Sequence, residues 1–279
     1  MSKPTRIAAA LAAVILSGLG PAFGQQIEWT QTINLPKGLN LPQGLKADIL
    51  GIELGETYET AKPKLEALFK AATNTPDQNK KFTNLMQRFR LSTPSGPLEI
   101  SYPGGIRVEI RRYQPAVPPK EHDWIQVNFS APSSGQQVIG IKRTISYQKQ
   151  EDQIRVSELL ASLKAKYGSE PQLVGDYGRS RNYLFRYADG KLFRGASACK
   201  PLFLEGTNPA GLKNINTDGT CDVALLVEVN VGISKDHAEV VRFVLADNER
   251  TKQNLLADFA YFDSYVEKRR QQSGTAPKL

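Results

Sequence analysis

Histidine, the side chain most often used in acid–base catalysis, occurs only twice in this 279-residue sequence. His122 lies in the segment KEHDW, and His237 lies in the segment SKDHAE. A histidine beside a carboxylate, such as Glu121 or Asp123, could act as a general base or bind a metal. In an extended segment, however, adjacent side chains point to opposite faces, so the sequence does not bring these groups together. We therefore assign no catalytic residue and predict that His237 is a solvated loop residue.

The motifs for a nucleophile and for phosphate binding are incomplete. The segment GASAC, residues 195–199, lacks the last glycine of a Gly-x-Ser-x-Gly turn. Gly51 and Gly55 follow an aliphatic stretch, but acidic residues occupy the turn, and they would repel a bound phosphate group. The sequence has neither a Walker motif nor a dinucleotide fingerprint. We predict no cofactor.

One segment, Asn214–Asp222, partly matches a calcium-binding loop. It supplies Asn and Asp side chains at the spacing of the first half of such a loop, with a glycine at the turn. The loop would begin with Asn instead of Asp, and Leu225 stands where a bidentate Glu is needed. A turn rich in Asn, Asp and Gly explains the composition equally well, so we predict no metal site.

The two cysteines, Cys199 and Cys221, favour a disulfide bond. Disulfides are typical of exported proteins, because the space outside the cytosol is oxidising. A loop of about 22 residues closed in this way stabilises a fold by roughly 3 kcal/mol on the chain-entropy account. A zinc site would need more ligands, and a redox pair would have two residues between its cysteines.

Residues 1–24 have the pattern of a secretory signal peptide. Lys3 and Arg6 precede an uncharged apolar run that is shorter than the roughly 20 residues needed to span a bilayer. Small residues before the Gly24-Gln25 bond fit a cleavage site there. No cysteine lies near that bond, which argues against a lipid anchor, and no later segment is apolar enough to span a membrane. The pattern predicts a periplasmic or secreted protein.

The charge of the chain favours a weakly basic surface. Loss of Lys3 and Arg6 lowers the formal net charge from +8 to +6. This charge suits an acidic protein, an anionic lipid or a glycan as partner. The Lys and Arg residues are dispersed, and the one cluster lies near the C-terminus, so we predict no nucleic-acid binding.

The hydrophobic pattern predicts an α+β fold of two helix-plus-antiparallel-sheet modules with a C-terminal amphipathic helix. Helical spacing alternates with runs of strand-like alternation, in the same order twice. The predicted parts are a Pro/Gly-rich N-terminal arm at residues 25–47, a first module at 48–150, a second module at 151–272 and a disordered tail at 273–279. The arm contains the repeat LPKGL and LPQGL, which opposes both helix and central strand.

Two local predictions concern the helix starts. The first helix begins at Thr57 or at Thr60, because either can cap it. Pro63 would bend the helix if Thr57 is the cap, and would fall in the first turn if Thr60 is. The second helix is predicted at Val156–Tyr167, with Ser157 as its cap.

The strand predictions follow from alternating apolar and polar residues. The segment Pro103-Gly104-Gly105 predicts a hairpin turn between two short strands at 98–102 and 106–110. Residues 73–95 fit either a helix or a strand. Further strands are predicted at 124–129, 138–147, 182–187, 223–231 and 239–246, and the last helix at 248–270.

Three parts of the sequence resemble a group of proteobacterial secreted proteins without assigned function. These parts are GIELGETYETAKPKLEAL, the stretch from SYQKQ to VSELLASLKAKYGSEP, and the cysteine-bracketed loop. The usual forms in that group are GIRLGM and LRxKYGxP, and the likeness covers most of residues 48–270. More distantly, each module resembles the small lipoprotein of the β-barrel assembly machinery and the modules of the secreted β-lactamase inhibitory protein. The resemblance implies tandem modules with a binding or scaffolding role. The chain lacks the lipoprotein cysteine, and Pro63 departs from the usual helix.

These observations favour an exported, non-enzymatic binding or scaffolding protein of the periplasm. Its sheet faces and N-terminal arm would contact a cell-envelope protein or an anionic envelope component. One alternative is a secreted hydrolase that uses His122 with nearby carboxylates, and another is a secreted inhibitor or effector. A pocket at His122, with a serine or carboxylate within hydrogen-bonding distance, would favour the hydrolase.

Overall fold

The structure is a computed structural model. It describes residues 41–42, 44–72, 79–93, 96–114, 117–195, 199–203 and 222–273. The predicted signal peptide, most of the predicted arm and almost all of the predicted tail lie outside these residues. So does most of the candidate calcium loop.

The described residues form an α+β fold, as the hydrophobic pattern predicted. The helices are α1 (Tyr58–Ala71), α2 (Val156–Tyr167) and α3 (Asn248–Ser273). The strands are β1 (Asp48–Ile49), β2 (Ile52–Glu53), β3 (Lys80–Thr93), β4 (Gly96–Gln114), β5 (Val117–Phe129), β6 (Val138–Tyr147), β7 (Gln172–Tyr177), β8 (Ser180–Ala188), β9 (Lys191–Leu192), β10 (Val223–Val231) and β11 (Ala238–Asp247).

Both predicted modules contribute to one continuous antiparallel sheet. Its strand order is β3-β4-β5-β6-β11-β10-β8-β7, and the short β9 pairs with β8. The last strand of each module, β6 and β11, pair at the centre, from Gly140 opposite Ala246 to Ser146 opposite Val240. Each half of the sheet is therefore a four-stranded meander, and the two halves are joined along one pair of strands.

The helices α1 and α2 pack on the same face of this sheet and form the main core with it. The apolar spacing that predicted both helices is the spacing of their buried residues, such as Ala61 and Leu65 in α1 and Leu159 and Leu163 in α2. Alternate strand residues complete the core, for example Val127 on β5. Burial of this apolar surface is the dominant favourable contribution to the fold.

The predicted turn at Pro103-Gly104-Gly105 is wrong, because β4 runs through it as one strand from Gly96 to Gln114. The three residues form a β-bulge instead. Leu85 of β3 lies opposite Gly105, and Met86 lies opposite Pro103, so Gly104 is the extra residue. Pro and Gly disrupt a regular ladder and are tolerated at a bulge beside an edge strand. The ambiguous segment before it is also a strand, β3, from Lys80 onward.

The helix starts differ in part from the predictions. Thr57 is the N-cap of α1, so Pro63 lies inside the helix beyond the first turn. The Thr57 side chain makes no capping hydrogen bond, although its Oγ1 lies 3.1 Å from the hydroxyl of Thr60. The N-cap of α2 is Arg155, so the predicted cap at Ser157 is wrong by two positions. The α2 helix ends at Tyr167, as predicted, and its C-cap Gly168 has a φ of 71°, a left-handed conformation.

The third helix is fixed to the turn between β5 and β6 by a buried carboxylate. Asp258 Oδ2 accepts a hydrogen bond from the backbone N–H of Ala131 at 2.9 Å, and its Oδ1 accepts one from the Ser133 hydroxyl at 2.6 Å. These residues belong to the turn between β5 and β6. Farther along α3, Phe262 packs in a second apolar cluster with Ile100 and Tyr102 of the β3–β4 hairpin. The helix therefore connects the centre of the sheet to its outer hairpin.

Candidate functional site

The face of the sheet that points away from α1 and α2 is rich in polar side chains, and we call it the open face. The helix α3 covers only its outer end, where Phe262 packs on Phe89 of β3. Cross-strand partners share a face, so the register identifies its members. One row of partners contains Arg107, Gln126, Lys142 and Val244. The next row contains Lys81, Glu109, Trp124, Thr144, Arg242, Glu228 and Asn182. None of these residues belongs to the main core formed with α1 and α2.

Trp124 lies near the middle of the open face, between cations from the two neighbouring strands. The Arg107 guanidinium carbon lies 5.1 Å from the Trp124 ring centroid, and Lys142 Nζ lies 5.5 Å from it. Both distances are within the range of a cation–π attraction. Gln126 Oε1 also accepts from Arg107 Nε at 3.0 Å, which fixes the guanidinium beside the ring. The arrangement presents one half-buried indole with two positive charges at its sides.

Phe203 packs against the same face after the cysteine at position 199. Lys142 Nζ lies 5.5 Å from the Phe203 ring centroid, so Trp124 and Phe203 both contact this ammonium group. The ring fits there because residue 140 is a glycine, and a Cβ atom at Gly140 would lie 3.1 Å from Phe203 Cδ2. Asn248 Oδ1 accepts from the N–H of Leu202 at 2.8 Å and anchors this segment to the start of α3.

Replacing Gly140 with valine is expected to push the Phe203 ring away from Lys142. The added methyl groups overfill a close contact, so we expect the free energy of unfolding to fall by about 1–3 kcal/mol. Urea denaturation monitored by circular dichroism measures this change. Gly140→Ala, which adds one methyl group, should show a smaller loss, and equal stability of all three proteins would contradict the proposed contact.

His122 also lies on the open face and forms a charged group with two residues of β4. Its Nε2 atom is 2.9 Å from Glu109 Oε1, which also accepts from Arg111 Nη2 at 2.9 Å. Burial alone would raise the pKa of Glu109, but the hydrogen bonds from Arg111 and His122 outweigh it and lower that pKa. Ser146 is the cross-strand partner of His122 on β6. The carboxylate within hydrogen-bonding distance of His122 is therefore that of Glu109, on the neighbouring strand, and not that of Glu121 or Asp123.

Glu121 and Asp123 point to the opposite, helix-bearing face, as alternation along a strand requires. Arg143 binds Asp123 through two parallel hydrogen bonds of 3.0 and 2.7 Å. Arg112 binds Glu121 at 2.8 Å. The structure therefore separates His122 from both acids that flank it in the sequence.

The remaining candidate residues are placed only in part. His237 lies in the turn before β11, where its Nδ1 atom is 2.8 Å from Asp236 Oδ1. Only 21% of its side chain is exposed, so it is less solvated than we predicted for a loop residue. Cys199 is described but Cys221 lies outside the described residues, so the disulfide stays a prediction. At the end of the candidate calcium loop, Asp222 Oδ2 accepts from the N–H of Asp189 at 2.9 Å. Asn214 lies outside the described residues.

Sequence reasoning did not identify the group of Trp124, Arg107 and Lys142. The signal was present as alternation, since 124–129 was predicted as a strand with one polar side. The sequence pattern does not give the register in which β4, β5 and β6 pair, and only this register brings the three residues into contact.

Within the described ranges, no group of three or more His, Cys, Asp or Glu side chains is arranged to hold a metal ion. Of the three described helices, none combines the length and the apolar character needed to cross a membrane.

Comparison of the chain with protein-family models, curated proteins and solved structures gives no match. The resemblance to secreted proteobacterial proteins therefore rests on the short sequence motifs alone.

Proposed function

We propose that this chain is an exported, non-catalytic binding protein that engages an acidic protein of the cell envelope through its open face. The observation that carries the proposal is the group of Trp124, Arg107 and Lys142. Aromatic and arginine side chains are enriched where proteins bind one another, and a rigid half-buried ring contributes much contact area at low entropic cost.

The charge of the open face supports an acidic partner. Its two central rows contain the four cationic residues Lys81, Arg107, Lys142 and Arg242 against the two carboxylates Glu109 and Glu228, a difference of 4 − 2, or +2. Arg111, in the next row opposite His122, adds a further positive charge. Complementary charge increases the rate of association and suppresses wrong partners. Export is supported by the N-terminal sequence pattern.

The environment of His122 supports a binding role over hydrolysis. Glu109 shares its carboxylate between His122 and Arg111, and the ion pair with a permanent cation reduces its basicity. A cavity within the described residues lies on the other face, between α1 and the sheet, and His122 does not line it. The hydrolase alternative is retained as an outcome of the test below, because Ser146 and Glu109 both lie beside His122.

The proposal predicts binding of an acidic polypeptide, for which polyglutamate is a simple probe. Trp124 reports on the open face if Trp29, the other tryptophan of the sequence, is replaced by phenylalanine. We expect polyglutamate to change Trp124 fluorescence, and we expect affinity to fall by about tenfold when salt rises from about 50 to about 500 mM, because screening weakens exposed charge pairs. Polylysine of equal length should have no effect.

Arg111 and Arg112 provide a matched pair of variants, because they are adjacent on β4 and point to opposite faces. Arg111→Gln should weaken polyglutamate binding by roughly threefold to fivefold, a magnitude typical of one exposed charge. Arg112→Gln should leave it unchanged. Equal effects of the two variants would contradict the assignment to the open face.

In cells, a photoreactive residue at Ser146 should crosslink a partner, and one at Glu66 on α1 should not. An acidic protein captured only from Ser146 supports the proposal, and a glycan or lipid captured there contradicts it. Turnover of an ester or cell-wall substrate that is lost in His122→Ala would favour the hydrolase. A partner from another organism that binds the open face would indicate the inhibitor or effector role.

A further inference from the structure

A cavity of about 180 Å³ lies between the C-terminal end of α1 and the helix-bearing face of the sheet. Its apolar lining comes from Leu68 of α1, Val108 and Ile110 of β4 and Ile125 of β5. It is somewhat larger than the engineered apolar cavities of about 150 Å³ that take up benzene. An apolar group of about six carbon atoms fits a space of this size.

The polar lining of the cavity consists of Arg112, Asp123 and Arg143. Two guanidinium groups and one carboxylate line the cavity, and a second carboxylate, that of Glu121, binds Arg112 beside it, so the charges of the four groups balance, 2 − 2. Asp123 is almost fully buried, and its two oxygens already accept the paired hydrogen bonds of Arg143. Arg112 donates one described hydrogen bond, from its Nη1 atom to Glu121, and its side chain is about half exposed. An arginine has five N–H donors, so both guanidiniums retain donors for a ligand.

We propose that this cavity binds a monocarboxylic acid with a compact hydrocarbon tail of about six carbon atoms. The tail lies among Leu68, Val108 and Ile125, and the carboxylate accepts hydrogen bonds from Arg112 and Arg143. The remaining N–H donors of the two arginines favour a carboxylate, which accepts hydrogen bonds, over an ammonium group, which has only donors.

This site is independent of the open face, because it lies on the other side of the sheet. Failure of either proposal therefore leaves the other intact, and the variants of Arg111 and Arg112 separate the two.

The test uses isothermal titration calorimetry of the full exported chain with hexanoate, hexanol and hexylammonium. We expect hexanoate to bind at least about tenfold more tightly than hexanol, the gain typical of a charge-assisted hydrogen bond. Hexylammonium should bind more weakly than hexanol. Butyrate and dodecanoate should both bind more weakly than hexanoate, because one leaves the cavity partly filled and the other exceeds it.

Two variants locate the ligand. Arg112→Gln is expected to weaken hexanoate binding by about fivefold to tenfold, whereas Arg111→Gln on the opposite face leaves it unchanged. Ala72, the half-buried residue that follows the last residue of α1, also lines the cavity, so Ala72→Phe should fill it and abolish binding. Equal affinity for hexanoate and hexanol, no binding of hexanoate to the unaltered chain, or equal losses in the two arginine variants would overturn the proposal. If Ala72→Phe does not fold, the arginine pair still decides it.

Discussion

Replacing Asp258 with alanine is expected to lower the free energy of unfolding by about 2–4 kcal/mol. Asp258 is 2% exposed and accepts hydrogen bonds from the N–H of Ala131 and the hydroxyl of Ser133, which belong to the turn between β5 and β6. Alanine leaves both donors buried without this acceptor, and a donor left unsatisfied costs more than the hydrogen bond itself contributes. Urea denaturation measures the change in the midpoint.

Two other variants separate the hydrogen bonds from the negative charge. Asp258→Asn keeps one acceptor for the Ala131 N–H, and the Ser133 hydroxyl can rotate to accept from the new amide group. We therefore expect Asp258→Asn to lose less than about half as much stability as Asp258→Ala. Asp263→Ala, on the exposed side of the same helix, should change stability by no more than about 0.5 kcal/mol. A loss in Asp263→Ala as large as in Asp258→Ala would contradict this explanation.

The Asp258 charge also makes stability depend on pH. Burial raises the pKa of Asp258 above its ordinary value of 3.8, although hydrogen bonds from Ser133 and Ala131 oppose the shift. A raised folded-state pKa means that the folded state holds the proton more tightly, so stability falls as the pH rises from 3.8 through the folded pKa. Asparagine does not titrate. The stability of the unaltered chain relative to Asp258→Asn should therefore decline over this pH interval.

Replacing Arg186 with alanine is expected to lower the free energy of unfolding by about 3–5 kcal/mol. Arg186 lies on β8 with 2% of its surface exposed. Its Nη2 atom donates to Gln172 Oε1 on β7 at 2.9 Å and to the carbonyl oxygen of Gly195. The guanidinium carbon lies 5.0 Å from the ring centroid of Phe193. Alanine removes both hydrogen bonds and the cation–π contact, and it leaves a cavity in their place.

Arg186→Met tests which of these losses dominates. Methionine fills most of the volume but donates no hydrogen bond, so we expect it to recover about half of the stability lost in Arg186→Ala. Hydrogen exchange should also show that the amide of Phe193, which donates to the carbonyl of Arg186 at 2.8 Å, becomes less protected in both variants. Unchanged protection would show that Arg186 does not hold this segment.

The strands that sequence reasoning located best are the buried central ones. Val138–Tyr147 and Val223–Val231 were predicted with their observed bounds, because they are rich in β-branched residues and bounded by turn-forming residues. The outer hairpin was not located well. Pro103, Gly104 and Gly105 have the composition of a turn, and only pairing with β3 shows that they form a bulge.

The shared sheet and the candidate sites depend on contacts between distant parts of the chain. Local patterns predicted two modules but could not predict that β6 pairs with β11, which begins 91 residues after β6 ends, at Ala238. The same limit applies to Glu109 and His122, which lie on neighbouring strands and approach only in the observed register. A hydrophobic pattern specifies which face a side chain takes, but it does not specify its neighbours on that face.

The pairing of β6 with β11 sets a waiting time for the first module. β11 begins 91 residues after β6 ends, so the first module waits until this distant segment folds against it, and such long-range pairing forms slowly. Until β11 is present, β6 has one unpaired edge, and such an edge is a template for aggregation. Lys142 and Arg143 interrupt the apolar residues in the middle of β6. Charged residues in this position discourage wrong pairing between chains. Lys142 and Arg143 therefore lower the tendency of the unpaired β6 edge to aggregate, in addition to the contacts that they make on the two faces of the complete sheet.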